Sequence, residues 1–406
     1  MDKLSQVSVF LALLIALFSA RPWFIWGHSY IELAILFFFI ITRLLLMKKS
    51  IMRRDIMPTV FCLFLFLFIY VVNAPDISTA FSQICTKLIP LALFIQFTNK
   101  EKKRFIDSFT TVFSLILFVS LIFFTLFQFG VSLPFSRISH SDAHYSEFYN
   151  YYAFIVDGHL GIFTRFRSVF TEPGHVGMFA SIILYVNDYK LPKWKLFPLL
   201  ITIIWSFSLA AYFLLIIGYV LYLLLNNRFR VYLLLIPIIL LLSAWAISLY
   251  YKNNKGSLVS ELIISRLQIT NDGKLSGNNR HTSDFLTYYD KFDKTSDYIT
   301  GLGSHKYHKL PFLSGNASYK NFILEHGLMG ILFLMFFGLS FIYSYASLQY
   351  FGLFLLYVAA FLQRPYALWE VESFLYIAYS CQVLDKKYII KSDCRLNTNS
   401  ITNLIK

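Results

Sequence analysis

Apolar runs long enough to cross a bilayer recur along nearly the whole chain. They begin near Val7, Ser29, Met57, Ile77, Phe109, Ser168, Leu196, Ala211, Arg230, Tyr319, Leu348 and Ala367. Each approaches the ~20 residues that a helix needs to span a hydrocarbon core of about 30 Å. Hydrophobic residues make up 57% of the 406-residue chain and charged residues only 14%, against about 25% charged in a globular domain. A soluble fold with this composition would lack the polar surface to cover its outside. Intrinsic disorder, a secreted disulfide scaffold and a fibrous protein are excluded on the same grounds. The expected fold is all-α: a polytopic helical bundle of about twelve transmembrane helices.

The charge pattern fixes an orientation. With the N-terminus in the cytoplasm, the connections placed inside contain Lys48, Lys49, Arg53 and Arg54; Lys100, Lys102, Lys103 and Arg104; Lys190, Lys193 and Lys195; and Arg228 with Arg230. The tail, also inside, carries Lys386, Lys387, Lys391 and Arg395. Among the inside connections only the turn near Tyr345 is uncharged, as the positive-inside rule requires. The formal charge of +14 is accounted for by these flanking residues. No basic-aromatic module of a nucleic-acid-binding protein is present, so nucleic acid is not an expected partner. Cys62, Cys85, Cys381 and Cys394 are scattered and form neither a disulfide framework nor a zinc pattern.

Six regions follow: N-terminal helices over 1–134, a first large outer loop over 135–167, central helices over 168–250, a second outer loop over 251–318, C-terminal helices over 319–385 and a tail over 386–406. The first apolar run resembles part of a signal peptide but has no small-residue cleavage site and is read as a retained helix. The stretch Leu196–Leu225 allows two short crossings or one long tilted one. Gln83, Lys87 and Pro90 interrupt the run from Ile77 to Phe97. Both outer loops are too long for simple connections, and their aromatic residues predict ordered caps carrying short helices.

Three polar constellations lie on that outer side. The first is Arg165, Arg167, Glu172, Pro173 and His175, where the first loop meets a span. Charges at a membrane boundary are costly unless they face water or one another. Arg suits a diphosphate through its planar fork and permanent charge. Pro173 fits the first turn of a helix whose positive end lies beside Glu172. An interfacial cap with snorkelling Arg explains the same residues. The second is Ser276-Gly277-Asn278-Asn279-Arg280-His281, which also reads as a solvated turn. The third runs from Gly301-Leu302-Gly303-Ser304-His305 through Asn316 to Glu325-His326-Gly327 and Gly330. Its glycines suit either anion binding by backbone N–H groups or close helix packing. Arg364 lies between the last two spans, where Glu370 and Glu372 are its expected neutralising partners.

The order of these segments resembles the O-antigen polymerase and O-antigen ligase superfamily. Arg167-Ser168-Val169-Phe170-Thr171-Glu172-Pro173 is similar to the family's Arg-x-x-Phe-x-Glu-Pro start of a mid-chain helix, Ser276–Arg280 to its Ser-Gly-Arg element, and Gly301-Leu302-Gly303 with Glu325-x-Gly327-x-x-Gly330 to its Gly-x-Gly and Glu-x-Gly-x-x-Gly pattern. Asn316 stands where the ligases place a His, which favours the polymerases. The resemblance implies a bacterial inner-membrane enzyme that joins oligosaccharide repeat units carried on undecaprenyl diphosphate at the periplasmic face. The expected catalytic residues are Glu172, Arg280 and Glu325, with Glu172 preferred as general base. Arg165, Arg167, His175, His281, His305, Asn316 and Arg364 are the expected substrate contacts. No cofactor or metal is expected. Membrane lipids and a chain-length regulator are the further partners implied. A flippase for the same lipid-linked unit and an O-antigen ligase are the competing functions.

Overall fold

The fold is given by a computed structural model that describes residues 3–46, 53–139, 147–158, 164–225, 282–311, 318–364 and 369–385. The described chain is mostly helical. In order, the helices are α1 (Lys3–Ser19), α2 (Ser29–Leu46), α3 (Ile56–Leu67), α4 (Ile77–Gln83), α5 (Ile89–Ile95), α6 (Asn99–Gln128), α7 (Pro173–Val186), α8 (Lys193–Trp205) and α9 (Leu209–Leu225). There follow α10 (Ser283–Phe292), α11 (Asp297–Thr300), α12 (Gly303–Tyr307), α13 (Tyr319–Tyr345), α14 (Leu348–Gln363) and α15 (Glu370–Ala378). Among the described residues, 4 helical segments are long and apolar enough to cross a membrane: Ser29–Leu46, Ile77–Ile95, Asn99–Gln128 and Tyr319–Tyr345. The run near Arg230 lies outside the described residues.

Local chemistry explains where several elements start and bend. Thr98 and Glu101 exchange side-chain and backbone hydrogen bonds as a capping box that opens α6. Lys87 and Pro90 do not break the span Ile77–Ile95. A π-helical turn, Ile84–Leu88, takes up the irregularity between α4 and α5. Leu196–Leu225 resolves into two helices, α8 and α9, separated at Ser206–Ser208 with Phe207 in a left-handed conformation (φ 45°).

Every residue of α7 and of α15 is buried. They occupy the interior, and α15 packs against α1, α5, α6, α7 and α14. A helix apolar nearly all round belongs in such a position. Any charged residue on either is thereby held inside the protein.

The segment 135–167 corrects an expectation, for its described residues carry a sheet and no short helix. Strands β1 (Ser136–Ser139), β2 (Glu147–Asn150) and β3 (Ile155–Asp157) form an antiparallel sheet in that order. Ile138 pairs with Phe148 and Tyr149 with Val156, β-branched and aromatic residues that suit a pleated, half-buried surface. The second loop does carry short helices. On α10, Phe285, Tyr289 and Phe292 share one face at helical spacing and pack against Ile323 and Leu324 of α13.

Candidate functional site

The site forms where the first turn of α7, the end of α14 and the start of α15 meet. Glu172 caps α7 from an extended conformation and Pro173 occupies the first turn, as the sequence predicts. The approach is tied down residue by residue. Ile155 N–H donates to the Ser168 carbonyl at 2.9 Å and Phe166 N–H to the Trp205 carbonyl at 3.0 Å. The Trp23 N–H donates to Val169 at 2.9 Å, beside a bridge between Pro22 and Phe170. With so many backbone groups satisfied locally, the position of Glu172 is fixed by the surrounding loops.

Arg364, at the end of α14, forms an ion pair with Glu172 through Nη1 and Oε2. The expectation that Glu370 and Glu372 neutralise Arg364 is therefore corrected. Glu370 pairs instead with Lys87, Nζ to Oε1, at 2.6 Å. Glu372 is buried beside Tyr357 and Tyr376. Two residues of helix rotate a side chain by roughly 200°, so these carboxylates leave α15 on opposite faces.

His175 completes the cluster. Its Nε2 lies 3.7 Å from Glu172 Oε2, and its ring stands edge-on to Trp369 at 5.2 Å. Gly174 leaves room for the guanidinium, since a Cβ there would lie 3.4 Å from Arg364 Nη2. Carboxylate, guanidinium and imidazole thus share one helix N-terminus, whose dipole favours anions. The Arg364 side chain retains 22% exposure while that of Glu172 retains 9%, so the guanidinium is the more accessible partner.

The two arginines of the first constellation turn toward the protein. Arg165 donates from Nε to the Ser206 carbonyl at 2.8 Å and from Nη2 to the Phe207 carbonyl at 3.0 Å. It thereby caps α8 at the end that favours cations. Arg167 is buried, donates from Nη1 to the Thr171 carbonyl at 2.9 Å, lies 3.7 Å from Asp157 and faces the Phe148 ring at 5.5 Å. Expected as substrate contacts, both hold the loop that delivers Glu172. Arg280, His281 and Asn316 lie outside the described residues.

Glu325 sits in a separate arrangement. Ser304 Oγ donates to its Oε1 at 2.5 Å, and His326 Nε2 lies 3.6 Å from Oε2. The Leu302 N–H donates to the Leu324 carbonyl at 2.8 Å, and the Ser304 N–H to the Asn73 carbonyl at 2.9 Å. The Gly301-x-Gly303 segment is therefore a backbone lock onto α13 and the loop after α3. His305 is exposed and contacts Lys309, Nε2 to Nζ, at 2.8 Å. Burial of the nearby Tyr307 hydroxyl pushes its pKa up, and the negative charge of Glu325 adds to this.

Sequence reasoning did not anticipate Trp369, or the pairing of Lys87 with Glu370. A Lys inside an otherwise apolar span was the available signal for the latter. Among the described residues no group of three or more His, Cys, Asp or Glu side chains is gathered as a metal site. Comparison with protein-family models, curated proteins and solved structures finds no match to this chain.

Proposed function

We propose that this protein is a glycosyltransferase of the inner membrane that polymerises undecaprenyl-diphosphate-linked repeat units into O-antigen or a related surface polysaccharide. In this reading the chain crosses the membrane about twelve times, both termini are cytoplasmic and the two large loops cap a periplasmic site. The observation that carries the reading is the Glu172–Arg364 pair, with His175, at the N-terminus of the buried helix α7.

The chemistry follows from those groups. An incoming diphosphate competes with Glu172 for Arg364, whose fork accepts a phosphate as readily as a carboxylate. The displaced carboxylate becomes available as a general base. It takes the proton of a sugar hydroxyl on one lipid-linked unit while that oxygen bonds to the anomeric carbon of the other glycan. The bond from that carbon to the diphosphate breaks, and the electron pair leaves with undecaprenyl diphosphate. Arg364 and the dipole of α7 stabilise the departing charge. Arg165 and Arg167 act as positioning residues, and Arg280 remains a candidate second contact for the diphosphate.

A flippase is the second reading, favoured by the break in α13 at Gly327 (φ 65°, ψ −175°), since transporters use interrupted spans. One experiment separates the two. Glu172→Gln and Arg364→Ala are expressed in a deletion strain and its surface glycan is resolved by length. The proposal expects single repeat units at the surface and no ladder. A full ladder in both variants overturns the site. Loss of even single units from the surface indicates a flippase.

A further inference from the structure

A further group of charges lines a hollow beside the first turn of α15. The hollow is half-open, with an enclosed volume of about 40 Å³, room for an ammonium group at its base, and is lined by Ile15, Phe18, Ser19, Glu32, Ile35, Leu36, Lys87 and Glu370. Its walls come from the end of α1, the first turns of α2 and α15, and the π-helical turn between α4 and α5. Lys87 snorkels along apolar surface to reach Glu370, as long basic side chains do in membranes. The Lys87 side chain keeps 39% exposure, while that of Glu370 keeps only 6%. Glu370 Oε1 accepts from Lys87, but Oε2 is buried and has no hydrogen-bond partner among the described residues. An acceptor left in that state is costly. Glu32 faces the same space and interacts electrostatically with Lys87, Arg21 and Glu370.

Lys87, Glu32 and Glu370 line the hollow, Arg21 acts on Glu32 from outside it, and the four charges sum to zero. A net anion or a net cation gains little from such a field, whereas a zwitterion with its charges a few ångströms apart meets a partner for each. The buried oxygen of Glu370 further calls for a hydrogen-bond donor, which an ammonium N–H supplies. A primary ammonium supplies three, a trimethylammonium none. The flanks of the pocket are hydrocarbon-facing in character, since α2 exposes Leu33, Phe37 and Phe38 and α4 exposes Ile77 and Phe81. Exposed apolar surface of this kind suits acyl chains.

The geometry points to a binding site for a phospholipid headgroup that joins a phosphate to a primary ammonium, with the phosphate on Lys87 and the ammonium between Glu32 and Glu370. This site requires only that the chain lie in a membrane, and it is independent of the proposed glycan chemistry.

The test uses the full-length protein in nanodiscs of equal parts phosphatidylethanolamine, phosphatidylglycerol and phosphatidylcholine. Tightly held lipid is then identified by native mass spectrometry. Phosphatidylethanolamine is expected to be retained with roughly tenfold preference, equivalent to one decade in affinity. Glu32→Gln, at a half-exposed position, should abolish the preference without unfolding the protein, and Glu370→Gln should do the same wherever it folds. Equal retention of the three lipids, preference for phosphatidylglycerol, or an unchanged preference in Glu32→Gln would each overturn the assignment.

Discussion

Gly301 and Gly327 meet backbone to backbone. A Cβ on Gly301 would lie 2.6 Å from the Gly327 nitrogen, and one on Gly327 would lie 2.5 Å from the Gly301 nitrogen. Both residues have positive φ, 84° and 65°, a conformation in which a side chain is strained. Because the obstructing atoms are backbone, neither residue can give way. Gly301→Ala or Gly327→Ala should each destabilise the protein by on the order of 3 kcal/mol. The second loop should also become sensitive to protease between α10 and α12. Thermal unfolding in detergent with limited proteolysis checks this; wild-type melting in both variants would refute the lock.

Arg364→Ala removes the ion-pair guanidinium beside a buried carboxylate. The expected loss is about 2–3 kcal/mol, below the ~3–5 kcal/mol of a fully buried pair, because the Arg364 side chain is 22% exposed and partly screened. The double variant Glu172→Leu/Arg364→Met should regain most of that stability yet make no polymer. A melting curve beside a glycan ladder separates the two effects. Restored polymer in the double variant would show that the pair is structural only.

Arg165→Ala should act on stability and not on substrate. The residue gives hydrogen bonds to the Ser206 and Phe207 carbonyls, and a charged donor contributes about 1.5–3 kcal/mol per bond. The melting temperature should fall while the folded fraction keeps its KM. A raised KM at unchanged stability would return Arg165 to the substrate.

At the opposite end of the bundle, Asp55 accepts from the Tyr345 hydroxyl at 2.6 Å and lies 3.7 Å from Lys102, with both charged side chains buried. This joins α3, α6 and α13. Lys102→Met should cost about 3–5 kcal/mol, and Asp55→Leu/Lys102→Met should recover much of it. Differential scanning fluorimetry on the single and double variants decides the matter; equal losses in both would mean that the ions are not coupled.

The helical class of the chain and the positions of several apolar helices were legible in the sequence. The start of α7 at Pro173, the irregular span around Lys87 and an ordered second loop with short helices follow from proline placement, interrupted hydropathy and retained aromatics. The sheet in the first loop was less legible. Its strands are of 3 or 4 residues, too short for a two-residue alternation to stand out, and β2 is joined to β1 through pairing across the loop. Lys102 shows the limit of charge counting. It belongs to a basic cluster expected from the sequence to face the cytoplasm, yet its side chain is wholly buried against Asp55.

The linear order of residues determined that this chain is a bundle of apolar helices with polar segments gathered between them, because hydrophobic length and helix periodicity are local properties summed along the backbone. Only the tertiary structure decided which charges meet. Lys87 finds Glu370 across 283 positions, and Arg364 takes Glu172 in preference to the carboxylates that follow it in the chain. Such pairings depend on how each helix is rotated about its axis and on which end abuts which. Those quantities come from packing many helices at once, and no short stretch of sequence contains them.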